Sequence, residues 1–96
     1  MNTLENIINI LRQHKADLQM KYPISGIAVF GSYSSGSATE AIDIDILVDI
    51  NGPMGLNFVT MAIEIEKLLG IKTDVVPRRL LKPDFLRDVE RNLIYV

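Results

Sequence analysis

The 96-residue chain contains no cysteine, which excludes disulfides, thiolate metal ligands and a cysteine nucleophile. It also has no apolar run close to the roughly 20 residues that a membrane-spanning helix needs. The first residues, Met1 to Leu11, are interrupted by polar side chains and lack the basic-then-apolar layout of a signal peptide. These absences predict a cytoplasmic protein with no membrane contact.

Basic residues are absent between Lys21 and Lys67, whereas the same stretch contains several acidic residues. The net charge of −2 differs from the basic surface of a general nucleic-acid-binding protein, so no direct contact with nucleic acid is expected. A phosphate group bound in this stretch needs metal ions, backbone N–H groups or basic residues from later in the chain.

The length predicts one domain over residues 1–96. Hydrophobic periodicity predicts helices over 3–20, 56–69 and 83–92, strands over 24–30, 43–50 and 72–76, and a short strand or a tail at 93–96. The first two strands are too close in sequence for a helical crossover, so we expect antiparallel neighbours, whereas a helix joins the second strand to the third. The prediction is an α/β (α+β) fold with a small mixed β-sheet of three to four strands packed with helices.

Two carboxylates stand one residue apart in the second predicted strand. Asp43 and Asp45 point to the same face, because residues i and i+2 of a strand do so, while Ile44 points into the core. Adjacent carboxylates repel each other unless a cation lies between them, and Mg²⁺ binds oxygen ligands of this kind together with waters and substrate phosphates. Asp74, in the third strand, joins them if the two strands are neighbours. The alternative interpretation is the solvated face of an edge strand.

Three carboxylates could hold two metal ions about 3.5–4 Å apart, one at a triphosphate and one at an attacking hydroxyl. Asp74 is the natural general base of the set, because it is the carboxylate most free of the triphosphate. Gly31 follows the first strand and allows the backbone to come close to a phosphate. Ser32 can donate its hydroxyl and its N–H to a phosphate oxygen. The pattern therefore predicts a metal-dependent enzyme that acts on phosphoryl groups.

Gly31-Ser32, followed after ten residues by Asp43-Ile44-Asp45 and later by Asp74, resembles the polymerase-β-type nucleotidyltransferase superfamily. The resemblance is greatest to its minimal nucleotidyltransferase (MNT) members, which are partnered with HEPN-domain proteins. It implies a polymerase-β-like fold and transfer of a nucleoside monophosphate from a triphosphate to a hydroxyl group. It also implies nucleotide binding by Gly31 and Ser32, catalytic and metal-binding roles for Asp43, Asp45 and Asp74, two Mg²⁺ ions as cofactor and ATP as substrate.

Two positions depart from the pattern of the family. Ser35 stands where many relatives carry an arginine before a loop glycine, and Ile42 stands where many carry a serine before the first aspartate. Neither departure removes a predicted metal ligand, and both concern the affinity for nucleotide.

The small size implies an open active site that another protein completes. The MNT resemblance implies an antitoxin that attaches AMP to a tyrosine of a HEPN toxin. Two alternatives stay open, namely a non-catalytic antitoxin that neutralises its partner by binding, and a small-molecule transferase of the aminoglycoside type. The wide apolar surface of the helix over 56–69 predicts a homo-oligomer or docking of the partner in a hetero-oligomer.

Further charged residues stand at the ends of two predicted strands. Asp49 continues the alternation of Asp43 and Asp45, but it lies near the strand end and is predicted to be a solvated or turn residue. Arg78 and Arg79 directly follow the third strand. We expect them in a surface loop, with contact to a phosphate or a partner as the alternative.

Overall fold

The computed structural model describes residues 3–30 and 44–96, which contain three α-helices and four β-strands. The helices are α1 (Leu4–Lys21), α2 (Asn57–Leu69) and α3 (Pro83–Glu90), and the strands are β1 (Ile24–Phe30), β2 (Ile44–Ile50), β3 (Thr73–Pro77) and β4 (Ile94–Tyr95). A single 3₁₀ turn, Arg78–Leu80, follows β3. The predicted site residues Gly31, Ser32 and Asp43, with Ser35 and Ile42, lie outside the described residues.

The ends of the helices follow local signals in the sequence. Thr3 caps α1, because its Oγ1 accepts a hydrogen bond of 3.2 Å from the N–H of Asn6. Gly70 ends α2 with a φ of 70°, a left-handed conformation that costs glycine little. The helix that begins at Pro83 ends at Glu90 instead of continuing to residue 92. There the N–H of Asn92 bonds to the carbonyl of Val89 at 3.1 Å, and this turn leads the chain into β4.

The strands form one mixed sheet in the order β3-β2-β1-β4. β1 and β2 are antiparallel, and β2 and β3 are parallel, so the predicted arrangement of these three strands is confirmed. The last segment forms the short strand β4, which pairs with β1 in antiparallel fashion. The predicted mixed sheet of three to four strands packed with helices is therefore confirmed.

The two faces of the sheet are covered by separate apolar clusters. The larger cluster packs α1 and α2 against one face, and the smaller packs α3 against the other through Val89. β2 contributes to both clusters, because Ile44 and Ile46 belong to the larger one and Leu47 belongs to the smaller one. Asp45 therefore shares the α3 side of the sheet with Leu47.

The outer surface of α2 is only partly covered. Leu56, Val59 and Ile63 are 86%, 55% and 50% exposed, so the predicted excess of apolar surface is present. Glu64 of this helix is half-buried against the end of α1. Within residues 3–30 and 44–96, no helix combines the length and apolar character needed to cross a membrane.

Candidate active site

The candidate site lies at the end of the sheet where β1 ends and where β2 and β3 begin, and this row of strand ends forms one edge of the sheet. Asp45, in β2, pairs in register with Asp74 of β3 on one side and with Phe30 of β1 on the other. Neighbouring strands are about 4.8 Å apart, so the backbone places the two aspartates at adjacent positions. The strand adjacency on which the prediction for Asp74 depended is confirmed.

Both aspartates lie on the α3 side of the sheet. Leu47 and Val76 stand two residues beyond Asp45 and Asp74, and both contribute to the smaller apolar cluster. Asp74 is exposed and Asp45 is half-buried. Because Asp74 belongs to an outermost strand, a ligand can approach this edge from solvent.

The donor set at this edge fits a divalent cation. Carboxylates directly opposite each other destabilise a sheet, and a bound cation removes their repulsion. Mg²⁺ is a hard cation that prefers such oxygen ligands. Within residues 3–30 and 44–96, no group of three acidic, histidine or cysteine side chains is placed to hold a metal ion. Asp43, the third predicted ligand, precedes Ile44 in the sequence and lies outside those ranges.

Gly31 and Ser32, the predicted phosphate-binding pair, belong to a segment between β1 and β2. The residues on either side of this segment lie at the same end of the sheet as Asp45 and Asp74. Gly31 and Ser32 directly follow Phe30 in the sequence, and Phe30 pairs with Asp45. At the other flank, the N–H of Ile44 bonds to the carbonyl of Lys72 at 3.1 Å, two residues before Asp74. The roles of Gly31 and Ser32 stay predictions.

An ion-pair network occupies the opposite end of the same sheet face. Arg78 donates through Nε to Oδ1 of Asp49 at 2.5 Å and through Nη2 to Oδ2 at 3.4 Å. It also donates through Nη1 to Oε2 of Glu90 at 2.7 Å, and through Nη2 to the hydroxyl of Tyr95. The hydrogen bond to Asp49 is the largest cause of a raised pKa of Arg78.

This network corrects two interpretations of the sequence. Asp49 is a half-buried residue of β2, so the prediction of a solvated or turn residue is wrong. Arg78 is half-buried and bound to Asp49, and the expectation of a surface loop fits only the exposed Arg79. The spacing of these residues in the sequence contained a signal for the Asp49–Arg78 pair. Asp49 and Arg78 stand four residues beyond Asp45 and Asp74, so parallel strands that align the first pair also align the second.

Comparison with known proteins assigns the family. A sequence model of the nucleotidyltransferase domain matches residues 11–96. This chain is a member of the nucleotidyltransferase domain family. The protein adenylyltransferase MntA of Thermococcus cleftensis is 41% identical over 97 residues, a match that covers 100% of this chain and 98% of that protein. The predicted membership of the nucleotidyltransferases is thus confirmed.

Solved structures agree with this assignment. The structure of a candidate minimal nucleotidyltransferase superposes on this nucleotidyltransferase with a TM-score of 0.80 and 31% identity, covering 96% of this chain and 94% of that one. A mutant of the MntA–HpeT toxin–antitoxin complex gives a TM-score of 0.65 at 25% identity, covering 96% and 69% of the two chains. The predicted nucleotidyltransferase fold is confirmed.

Proposed function

We propose that this nucleotidyltransferase transfers AMP from ATP to a hydroxyl group of a partner protein, a tyrosine of a HEPN toxin, and so acts as the antitoxin. The observation that carries the proposal is the pairing of Asp45 with Asp74 at the sheet edge that Phe30 also reaches. The similarity to a protein named as a protein adenylyltransferase supports the donor and the class of acceptor. The similarity to a toxin–antitoxin structure supports the class of partner.

Mg²⁺ is the proposed cofactor, with Asp43, Asp45 and Asp74 as its ligands. When bound as a pair of ions, it neutralises charge on the triphosphate and lowers the pKa of the attacking hydroxyl. The charge pattern supports this proposal. No Lys or Arg occurs between Lys21 and Lys67, so the segment with the Gly-Ser pair brings no side-chain cation of its own to a triphosphate.

The proposed reaction is a single displacement at the α-phosphorus of ATP. The acceptor oxygen forms a new bond to this phosphorus, the bond to the oxygen that bridges to the β-phosphate breaks, and pyrophosphate leaves. Asp74 takes the proton of the acceptor hydroxyl as general base. Gly31 and Ser32 hold the triphosphate. Asp74 is exposed on an outermost strand, so a hydroxyl carried by another protein can reach it without crossing the sheet.

The test uses the purified chain, the purified partner protein, Mg²⁺ and ATP labelled at either the α- or the γ-phosphate. Adenylyl transfer labels the partner from the α-phosphate alone, because the γ-phosphate leaves with pyrophosphate. We expect Asp45→Asn to lower labelling by at least about 100-fold, since several kcal/mol of transition-state stabilisation are lost. Asp84→Asn is the matched control. The side chain of Asp84 is 94% exposed, and its ion pair with Arg87 lies within α3.

The other outcomes favour the alternatives. Transfer of the α-phosphate label to an added aminoglycoside, with none to the partner protein, would favour a small-molecule acceptor. Neutralisation of the toxin that survives both Asp45→Asn and Asp74→Asn would favour an antitoxin that acts by binding. Transfer that persists unchanged after chelation of Mg²⁺ would overturn the metal part of the proposal.

A further inference from the structure

The strand that carries Asp74 is short, and its burial pattern favours the observed register, because Thr73 and Pro77 are buried whereas Asp74 is exposed. β3 lies at an edge of the sheet, has five residues and pairs only with β2 among the strands that the structure describes. Its two central residues, Val75 and Val76, are both half-buried and pack on opposite faces of the sheet. Because side chains alternate between the faces, a shift by one residue exchanges one valine for the other.

Such a shift would destroy the candidate site, and it would also turn the buried Thr73 and Pro77 to the other face of the sheet. In the observed register Asp74 stands opposite Asp45, whereas Ile44 and Ile46 occupy the neighbouring positions of β2. A shift by one residue places Asp74 opposite one of these isoleucines and turns its carboxylate toward the larger apolar cluster. Burial of that carboxylate already disfavours a shifted register, and a polar contact elsewhere on the two strands adds to the discrimination.

Asp49, in β2, and Arg78, in the turn directly after β3, form such a contact at the far end of this strand pair. The forked hydrogen bonds join side chains that are only 29% and 22% exposed. A shift by one residue would move the guanidinium about 3.3 Å along the strand and direct it to the other face. The bonds of an arginine fork depend on its orientation, so they form in the observed register and are lost in a shifted one.

The neighbouring strand leaves room for this pair. A Cβ atom on Gly26 of β1 would lie 3.1 Å from Oδ2 of Asp49, which is closer than ordinary van der Waals contact. Gly26 therefore allows the carboxylate to stay on this face beside β1. Arg78 also contacts Glu90 and Tyr95, so the same guanidinium joins β2 to α3 and β4.

We propose that Arg78 and Asp49 are positioning residues that help to hold the β2–β3 register in which Asp74 faces Asp45. This inference rests on the proposed function for the roles of the two site aspartates. Buried polar contacts specify register in some other folds, where apolar packing alone allows more than one alignment. In this chain, Asp49 and Arg78 stand four residues beyond Asp45 and Asp74, the carboxylates that they align.

Hydrogen exchange and the response to Mg²⁺ test this proposal in the full chain. We expect Arg78→Met and Asp49→Asn to weaken protection of the β3 amides more than that of the β1 amides. The Mg²⁺ concentration needed to raise the melting temperature should increase by about tenfold, and the rate of adenylyl transfer should fall by about tenfold. Effects of this size are typical of residues that orient metal ligands. Arg78→Lys, which keeps the charge without the fork, should recover part of each loss.

Two control variants separate alignment from general stability. Tyr95→Phe removes a different contact of Arg78 and should leave β3 protection and the Mg²⁺ response as in the parent chain. Glu64→Gln weakens the 2.8 Å ion pair with Lys21, which joins α2 to α1. It should lower the melting temperature without a selective effect on β3.

The opposite result would overturn the proposal. If Arg78→Met and Asp49→Asn weaken exchange protection equally in β1 and β3 and leave the Mg²⁺ response intact, the pair contributes only to stability. Asp45→Asn distinguishes this failure from a failure of the proposed function. If Asp45→Asn keeps both transfer and the Mg²⁺ response, the proposed site is wrong, whereas exchange in β3 still decides whether Arg78 fixes the register.

Discussion

The α3 side of the sheet carries acidic residues at both ends, and the two ends differ in what faces each acid. At one end Asp45 stands opposite Asp74, and at the other end Asp49 is bound by Arg78. Opposite charges on neighbouring strands stabilise a sheet, whereas like charges directly opposite each other destabilise it. The first end therefore brings two like charges together, whereas the second end pairs opposite charges.

This difference distinguishes the candidate site, formed by Asp45 and Asp74, from a structural ion pair that also contains an aspartate on the same face of the sheet. A locally unfavourable arrangement persists in proteins where a ligand needs it, and other contacts compensate. Asp45 and Asp74 place two carboxylates at adjacent positions, an arrangement that suits a bound cation. The pair of Asp49 and Arg78 is satisfied within the chain and leaves little capacity for a ligand.

The largest expected effect comes from exchanging one acid at each end for its amide. Asp74→Asn should lower adenylyl transfer by at least about 100-fold, because a general base and metal ligand is lost. In a chelating buffer the same change should raise the free energy of unfolding by up to about 1 kcal/mol, because it removes repulsion with Asp45. Asp49→Asn should lower this free energy. Urea denaturation measures both, and a shift of the same sign in the two variants would contradict the comparison.

A second prediction concerns Mg²⁺ added to the parent chain. A ligand that binds only the folded state stabilises it by about 2.7 kcal/mol at 100 times its dissociation constant. We expect Mg²⁺ to raise the melting temperature of the parent chain and of Asp84→Asn, and excess EDTA to reverse the rise. Asp74→Asn should respond weakly. A full response in this variant would place the cation elsewhere.

A substitution of Gly26, in β1, tests the packing around the Asp49–Arg78 pair. Gly26→Ala adds a methyl group 3.1 Å from Oδ2 of Asp49, so this carboxylate or its arginine must move. Overpacking of this kind costs about 1–3 kcal/mol. Urea denaturation should show that loss, and combining Gly26→Ala with Asp49→Ala should reduce it. A loss that stays the same in the double variant would show that Asp49 is not the obstacle.

The sequence predicted the elements of the fold more fully than their long-range contacts. The ends of α1 and α2 follow from Thr3 and Gly70, because capping and left-handed backbone are local properties. The alternation of Asp45 with apolar neighbours predicted its face, and the helix between β2 and β3 predicted their parallel pairing. Asp49 and Arg78 were missed because their meaning depends on the register of two strands, which a single strand does not reveal. The positions of Gly31, Ser32 and Asp43 stay predictions.

Glu64, on α2, is a carboxylate neutralised by an ordinary ion pair, and it serves as a reference for the two ends of the sheet. Its substitution has the smallest expected effect. Glu64 accepts hydrogen bonds of 2.8 Å from Lys21 and from the hydroxyl of Tyr22, and the bond from Lys21 is the main cause of its lowered pKa. The unfolded chain therefore binds a proton more readily at this residue. The resulting stabilisation is present above the ordinary pKa of 4.5 and is lost as the pH falls through the lower folded-state pKa.

Glu64→Gln should consequently lower the free energy of unfolding by up to about 1 kcal/mol at neutral pH, the range of a partly exposed ion pair. The difference from the parent chain should shrink on acidification, because a protonated Glu64 resembles glutamine. Urea denaturation at neutral pH and at about pH 3 measures this change. Transfer activity at neutral pH should stay that of the parent, since Glu64 lies on α2 and contacts the end of α1. A difference that grows in acid would assign the stabilisation to another group.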